Sequence, residues 1–411
     1  MQKEGGLIHF DLIIIGMGLS GLMAAKTAAE AGLKVLILGK GTGSLSLFSN
    51  TIDVLGGMKG SIEHGIPPWI ESHPEHPYSK VGPKMIEESI RSFTSLFAAP
   101  YSFLSANGNN CWIPTGAGTF RETYLVPITM SAGTSLQKAK TLIIGFKGFK
   151  DFYPEYVADQ LGCRGDALSL PEAFRGGITA TAMARMMETE TFSETLGKEI
   201  KKRLRDETRV GLPALLGLRE PGKVLRDLEQ AIGAQVFEIP TLPPSIPGMR
   251  IFHRFKKWLT DNGATFLLGQ SVSEASVIAK RCEKIESRHL PISASYASDR
   301  YVLATGRFMG GGLRATEEEI VETIFHLVVA QPKRREEWFD KGFLTSTHPV
   351  HRAGVLTDPF LRPVNQNGEL LLENVWVAGS MLAGHDFISE KSREGIEIAT
   401  GYMAAKQALG S

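Results

Sequence analysis

Cysteine is scarce in this 411-residue chain: Cys111, Cys163 and Cys282 lie far apart, and no C-x-x-C pair occurs. That argues against a thiolate zinc centre or an iron–sulfur cluster housed in this chain, and no metal site is expected. Buried or incidental thiols in a reducing, cytoplasmic setting are the simplest expectation. An excess of one charge is missing too. Lys plus Arg number 45 against 44 Asp plus Glu, a net charge of +1, so bulk attraction to nucleic acid is not expected. No 18 apolar residues run together; the strongest stretches, Leu12–Ile15 and Leu142–Ile144, are strand-sized. Residues 1–10, with Lys3, Glu4, Gly5 and Gly6, lack the apolar core of a leader peptide. Solenoid repeats and low-complexity tracts are absent as well. The remainder, 43% hydrophobic and 22% charged with 21 Phe, suits two or three domains or one large enzyme fold with a substantial core.

What is present begins with one βαβ unit. Phe10–Ile15 (FDLIII) ends in the unbroken β-branched and leucine run Leu12–Ile15, the pattern of a strand buried on both faces of a parallel sheet. Gly16-Met17-Gly18-Leu19-Ser20-Gly21 follows at once, then an alanine-rich helical stretch over 22–31 and a second strand over 34–38. In that setting G-x-G-x-x-G has a mechanical reading. Gly16 permits the tight turn, Gly18 lets the backbone approach a phosphate, and Gly21 lets helix and strand pack closely. The amides of Leu19, Ser20 and Gly21 then face an anion at the helix N-terminus. An acidic residue at the end of the second strand should bind the ribose of an adenosine. It is missing: the strand ends Leu38-Gly39-Lys40. Lys40 is a candidate phosphate contact, including the 2′-phosphate of NADP, beside the plainer reading of a solvated strand-end lysine.

Pro67, Pro68, Pro74 and Pro77 read as turns, and 83–97 as a helix with Ile86, Ile90, Phe93 and Phe97 on one face. Between 100 and 247 strand-like pieces (123–129, 141–146, 235–239) alternate with helix-like ones such as 192–205, as in an inserted α/β cap. A proline-rich turn over 239–248 leads into a helix over 249–262. Strand-like 300–304 and 375–378 run into Thr305-Gly306 and Gly379-Ser380, and 395–409 reads as a last helix. The expected division is 1–99 and 248–411 as two parts of one Rossmann-type domain, with 100–247 inserted.

Those C-terminal turns carry a resemblance. YVLATG at 301–306, ENVWVAGS at 373–380 and GIEIATG at 395–401 look like the turns of two-domain flavoproteins of the FAD/NAD(P)-binding Rossmann type. With HPYS at 76–79, LPPSIPGMR at 242–250 and GVLTD at 354–358, the protein resembles the B subunits of anaerobic glycerol-3-phosphate dehydrogenases over nearly its full length. The resemblance implies an α/β flavoprotein fold with an inserted cap, and FMN as cofactor, with FAD the alternative. It implies two partners, a larger FAD-bearing A subunit and an iron–sulfur membrane C subunit, and a peripheral position at the inner face of the membrane through them. The implied reaction is oxidation of sn-glycerol 3-phosphate to dihydroxyacetone phosphate, with electrons passed to quinone. Implied flavin contacts are Thr305, Gly306, Gly379, Ser380, Gly395 and Ile396, with Ser46, Ser49 and Asn50 in the loop after Lys40. Arg393 and Glu394 stand where a more glycine-rich run would suit a flavin.

Oxidising a secondary alcohol needs a base for the hydroxyl proton, and a phosphorylated substrate needs a cation. His351 and Arg352, beside His348, offer both. Arg250, one helical turn from His253, is a second cation candidate. Either group is expected to face a cleft between cap and flavin domain; the plainer reading makes them surface or satisfied core residues. Two other functions stay open: a stand-alone FAD enzyme of the fumarate-reductase-like type acting on another small acid, and a flavin-free assembly protein of the same complex.

Overall fold

The computed structural model describes residues 8–169, 177–289, 292–342 and 347–410; of the residues 1–10 weighed above, 1–7 lie outside them. The chain forms two compact units: Met1–Ser44, Ser61–Phe93 and Arg254–Ser411 in unit 1, and Leu45–Gly60 with Thr94–His253 in unit 2. In chain order, the parallel strands are β1 (Leu12–Ile15), β2 (Val35–Gly39), β3 (Thr141–Phe146), β4 (Arg164–Leu168), β5 (Arg209–Pro213), β6 (Gln235–Ile239), β7 (Thr265–Leu268), β8 (Tyr301–Leu303) and β9 (Val375–Val377). Two helices frame the glycine turn, α1 (Leu19–Glu30) and α2 (Arg393–Leu409).

Unit 1 holds a five-stranded parallel sheet in the order β7-β2-β1-β8-β9. Every residue of β1 is buried, as its unbroken apolar run requires of a central parallel strand. Glycines let backbones meet around it. A Cβ on Gly21 would lie 2.1 Å from the Gly16 carbonyl oxygen, and one on Gly401 would lie 2.2 Å from that of Ser20, where α2 crosses α1. A second sheet joins Ser271–Ile278, Arg281–His289 and Ile292–Ser298 in antiparallel order and adds Ile8–Phe10 parallel to the last.

Unit 2 is built on a four-stranded parallel sheet in the order β6-β5-β3-β4. Leu142, Ile143, Ile144, Val210, Leu212, Phe237 and Ile239 form the centre of its core. Helices Pro154–Leu161, Glu190–Lys201 and Pro221–Ile232 bury their apolar stripes on it.

Two local expectations are corrected. Pro67 and Pro68 sit inside helix Ile62–Ser72 rather than in turns; Ile62 and Ile66, one turn apart and buried, hold the helix despite the lost amide donors. The strand expected over 123–129 breaks into Phe120–Thr123 and Leu125–Pro127, after which the chain turns into a 3₁₀ stretch from Ile128. Among the described residues, no helix is long and apolar enough to cross a membrane.

Candidate functional site

The glycine turn takes the shape its residues demand. Gly16 has φ +118°, and a Cβ there would stand 2.2 Å from the Ala304 carbonyl oxygen, so only glycine fits between β1 and β8. Gly18 caps α1 with no side-chain hydrogen bond, and nothing lies within 4 Å of the place its Cβ would occupy. A helix start with no side-chain cap, open space beside Gly18 and no acidic residue in the first turn fits an incoming phosphate. Gly39, in the place of the missing ribose acid, is packed closely against Met17. A Cβ there would come within 3.1 Å of the Met17 amide nitrogen and Cγ, so a Glu would force Met17 to move. Lys40 is exposed beyond it.

Other candidates gather at the same carboxyl ends of β1, β8 and β9. Thr305 and Gly306 follow β8, and a Cβ on Gly306 would be 3.6 Å from Ser380 Oγ. Gly379 has φ +76°; its amide donates to Thr400 Oγ1 at 2.8 Å, and a Cβ on it would be 2.3 Å from Ser20 Oγ. Gly395 and Ile396 are buried in the first turn of α2. Ser46, Ser49 and Asn50 lie instead in unit 2. There Asn50 adopts φ +56°, and its Nδ2 donates to the carbonyls of Leu45 and Phe48 and to Ser245 Oγ. Ser49 Oγ meets Thr51 Oγ1 at 3.3 Å, and the Ser46 carbonyl accepts from the Ser245 amide. Arg250 is buried in unit 2, where Nη1 and Nη2 each donate to Glu238 at 2.7 Å and Nε donates to the Gly217 carbonyl. Burial alone would lower its pKa; the facing Glu238 outweighs it and keeps Arg250 charged.

His351 and Arg352 belong to a polar cluster in unit 1. His351 Nδ1 lies 3.4 Å from Asp386 Oδ2, while Asp386 Oδ1 accepts from the amides of Ile388 and Ser389 and so caps the short helix that follows. Arg352 is shared between Glu75 at 3.2 Å and Glu390 at 3.7 Å. Glu390 in turn accepts from the Asp386 amide and Ser392 Oγ, and lies 3.2 Å from His76 Nε2. The Tyr78 amide donates to His76 Nδ1, so the proton of a neutral His76 must sit on Nε2, facing Glu390. Burial pushes the Glu390 pKa up; the bond from His76, the Asp386 amide and Arg352 together hold it below its ordinary value.

Arg307 is the centre of this cluster, and sequence reasoning missed it although it directly follows Thr305-Gly306. Its guanidinium is buried and donates to the carbonyls of Ser380, His351, Leu382 and His385. Burial lowers its pKa to about 10, against the pull of Asp386 and Glu390. His385 lies against it at 3.2 Å, and burial, Arg307 and His76 keep that imidazole neutral. Asp386, His385 and Glu390 also went unrecognised. Their signal was the HDFISE segment at 385–390, which packs five polar or aromatic residues around one isoleucine just before α2.

The comparisons agree with this architecture. Residues 11–392 match the FAD binding domain family. The B subunit of anaerobic glycerol-3-phosphate dehydrogenase from Vibrio cholerae is 30% identical, and the match covers 98% of both proteins. A probable B subunit of the same enzyme from Halobacterium salinarum is 31% identical at the same coverage. That of Vibrio vulnificus is 29% identical, over 98% of this protein and 97% of the relative. The glycine turn, the buried Arg307 and the His351–Asp386 pair all lie within that match, and the chain belongs to the FAD binding domain family and, within it, to the anaerobic glycerol-3-phosphate dehydrogenase B subunits.

Proposed function

We propose that this protein is a flavin-bearing member of a complex that oxidises sn-glycerol 3-phosphate to dihydroxyacetone phosphate, passing electrons toward quinone through its partners. The partners in this reading are a larger FAD-bearing A subunit and an iron–sulfur membrane C subunit. The observation that carries it is Arg307, which binds the Ser380 carbonyl of the flavin-type turn and the His351 carbonyl at once. The amides opening α1, with Gly306 and Gly379, would hold the flavin, which supplies a two-electron acceptor. FMN is favoured over FAD because position 39, where a ribose-binding acid would stand, is a glycine packed closely against Met17.

In this reading His351 holds Nδ1–H toward Asp386 and keeps Nε2 bare to take the hydroxyl proton. Arg352, part-exposed beside it, is the cation for the substrate phosphate. Chromatography of the flavin released from purified protein tests the cofactor: FMN supports the assignment, FAD moves it to the dinucleotide, and a colourless protein that takes up neither overturns it. Glycerol 3-phosphate turnover by the flavin-loaded protein with an artificial acceptor is the expected result. Flavin without turnover would place the chemistry on a partner and leave this protein as a relay. Asp386→Asn should lower kcat about tenfold with little change in KM, because the His351 tautomer is no longer fixed. An unchanged kcat would remove the pair from the reaction.

A further inference from the structure

The first five residues of α2 include three charged side chains, Arg393, Glu394 and Glu397, all buried. Arg393 pairs with Glu394. Glu397 Oε1 accepts from Ser44 Oγ at 3.2 Å, whereas Glu397 Oε2 and Glu394 Oε2 are buried with no hydrogen-bond partner. Leaving either oxygen unsolvated is costly unless a proton or a ligand meets it.

The position of Glu397 is set by the same contacts that shape the phosphate turn. The loop bearing Ser44 lies over the start of α1: a Cβ on the preceding Gly43 would be 2.9 Å from Gly18 Cα. From the other side, the place of a Cβ on Gly379 is 2.3 Å from Ser20 Oγ and 3.9 Å from Glu397 Cγ. Glu397 therefore packs beside Ser44 and the Gly379–Ser20 contact, next to the first turn of α1 where an anion is expected. Two negative groups cannot share a dry site cheaply; a neutral acid instead offers its O–H to a phosphoryl oxygen.

We propose that Glu397 works as a protonated acid that donates to the phosphoryl group of the flavin at α1, and that its ionisation loosens flavin binding. This rests on the flavin reading above and goes beyond it by making retention of the cofactor depend on pH. Burial raises the Glu397 pKa to about 7, with Glu394 adding to the rise and Arg393 and the Ser44 bond opposing it. From the other elements, α1 presents the uncharged Ser20, while its Lys26 and Glu30 pair with each other. The neighbouring helix Pro77–Val81 has its Lys80 committed to Thr357. Among the described residues of those elements, no further charge offsets Glu397.

The test is the affinity of the flavin-stripped full-length protein for FMN, and separately for FAD, read by quenching of flavin fluorescence between about pH 5.5 and 8.5, on either side of the raised carboxyl pKa. The wild-type protein should bind roughly tenfold more weakly at the alkaline end. Glu397→Gln, which keeps a partner for Ser44 and cannot ionise, should bind with nearly constant affinity. Flavin binding that is independent of pH in the wild-type protein, or a loss at high pH that persists in E397Q, overturns the proposal and leaves the flavin reading standing. Failure to bind either flavin at any pH overturns both.

Discussion

Arg307→Met should remove about 3–5 kcal/mol of unfolding free energy. The side chain is buried and its donors are divided among four carbonyls on two segments of the chain. A methionine fills comparable volume but leaves those oxygens facing one another without a donor. Arg307→Lys should recover less than half of the loss, because a single ammonium cannot span carbonyls that a planar guanidinium reaches from several corners. Urea unfolding followed by circular dichroism measures both. A penalty under about 1 kcal/mol for the methionine variant would mean that the carbonyls find other partners and that Arg307 does not organise the cluster. His351 would be freed in the same variant, since its carbonyl is one of the four.

Arg250→Met should be comparably damaging, about 3–5 kcal/mol, for a different reason: it strands Glu238, a buried carboxylate whose Oε1 also accepts from the Leu216 amide. Adding Glu238→Gln removes the stranded charge while keeping an acceptor for that amide, so the double variant should regain at least half of the lost stability. The pair of variants also decides the second role considered for Arg250. If the double variant turns over glycerol 3-phosphate with an unchanged KM, the arginine holds unit 2 together and nothing more. If it is stable and its KM rises steeply, Arg250 reaches the substrate phosphate as its sequence position suggested.

The parts of this protein visible in the sequence are those whose information is local. β1, the glycine turn and α1 are contiguous, and an unbroken apolar run followed by G-x-G-x-x-G has one economical shape. β3 and β6 matched their expected bounds for the same reason. The antiparallel sheet over 271–298 was invisible because bulges between Val272 and Glu274 and between Ser276 and Val277 break the alternation that marks a half-buried strand. The polar cluster was hidden by distance along the chain. His76, Arg307, His351 and the Asp386–Glu390 pair come from four separate segments, and each alone looks like an ordinary polar residue. Of these, only His351 had been singled out as a base, because Arg352 and His348 stand beside it.

The order in which the strands of unit 1 occur has a consequence for its birth on the ribosome. β1 is flanked by β2, made almost immediately, and by β8, whose Tyr301–Leu303 is made far later. Until β8 and β9 leave the exit tunnel, the nascent polypeptide carries a bare apolar strand edge that invites pairing with other polypeptides. Unit 2, almost all of it one continuous stretch, can close first. Chaperone demand during synthesis should therefore fall on the opening βαβ segment, well before any cofactor can be seated.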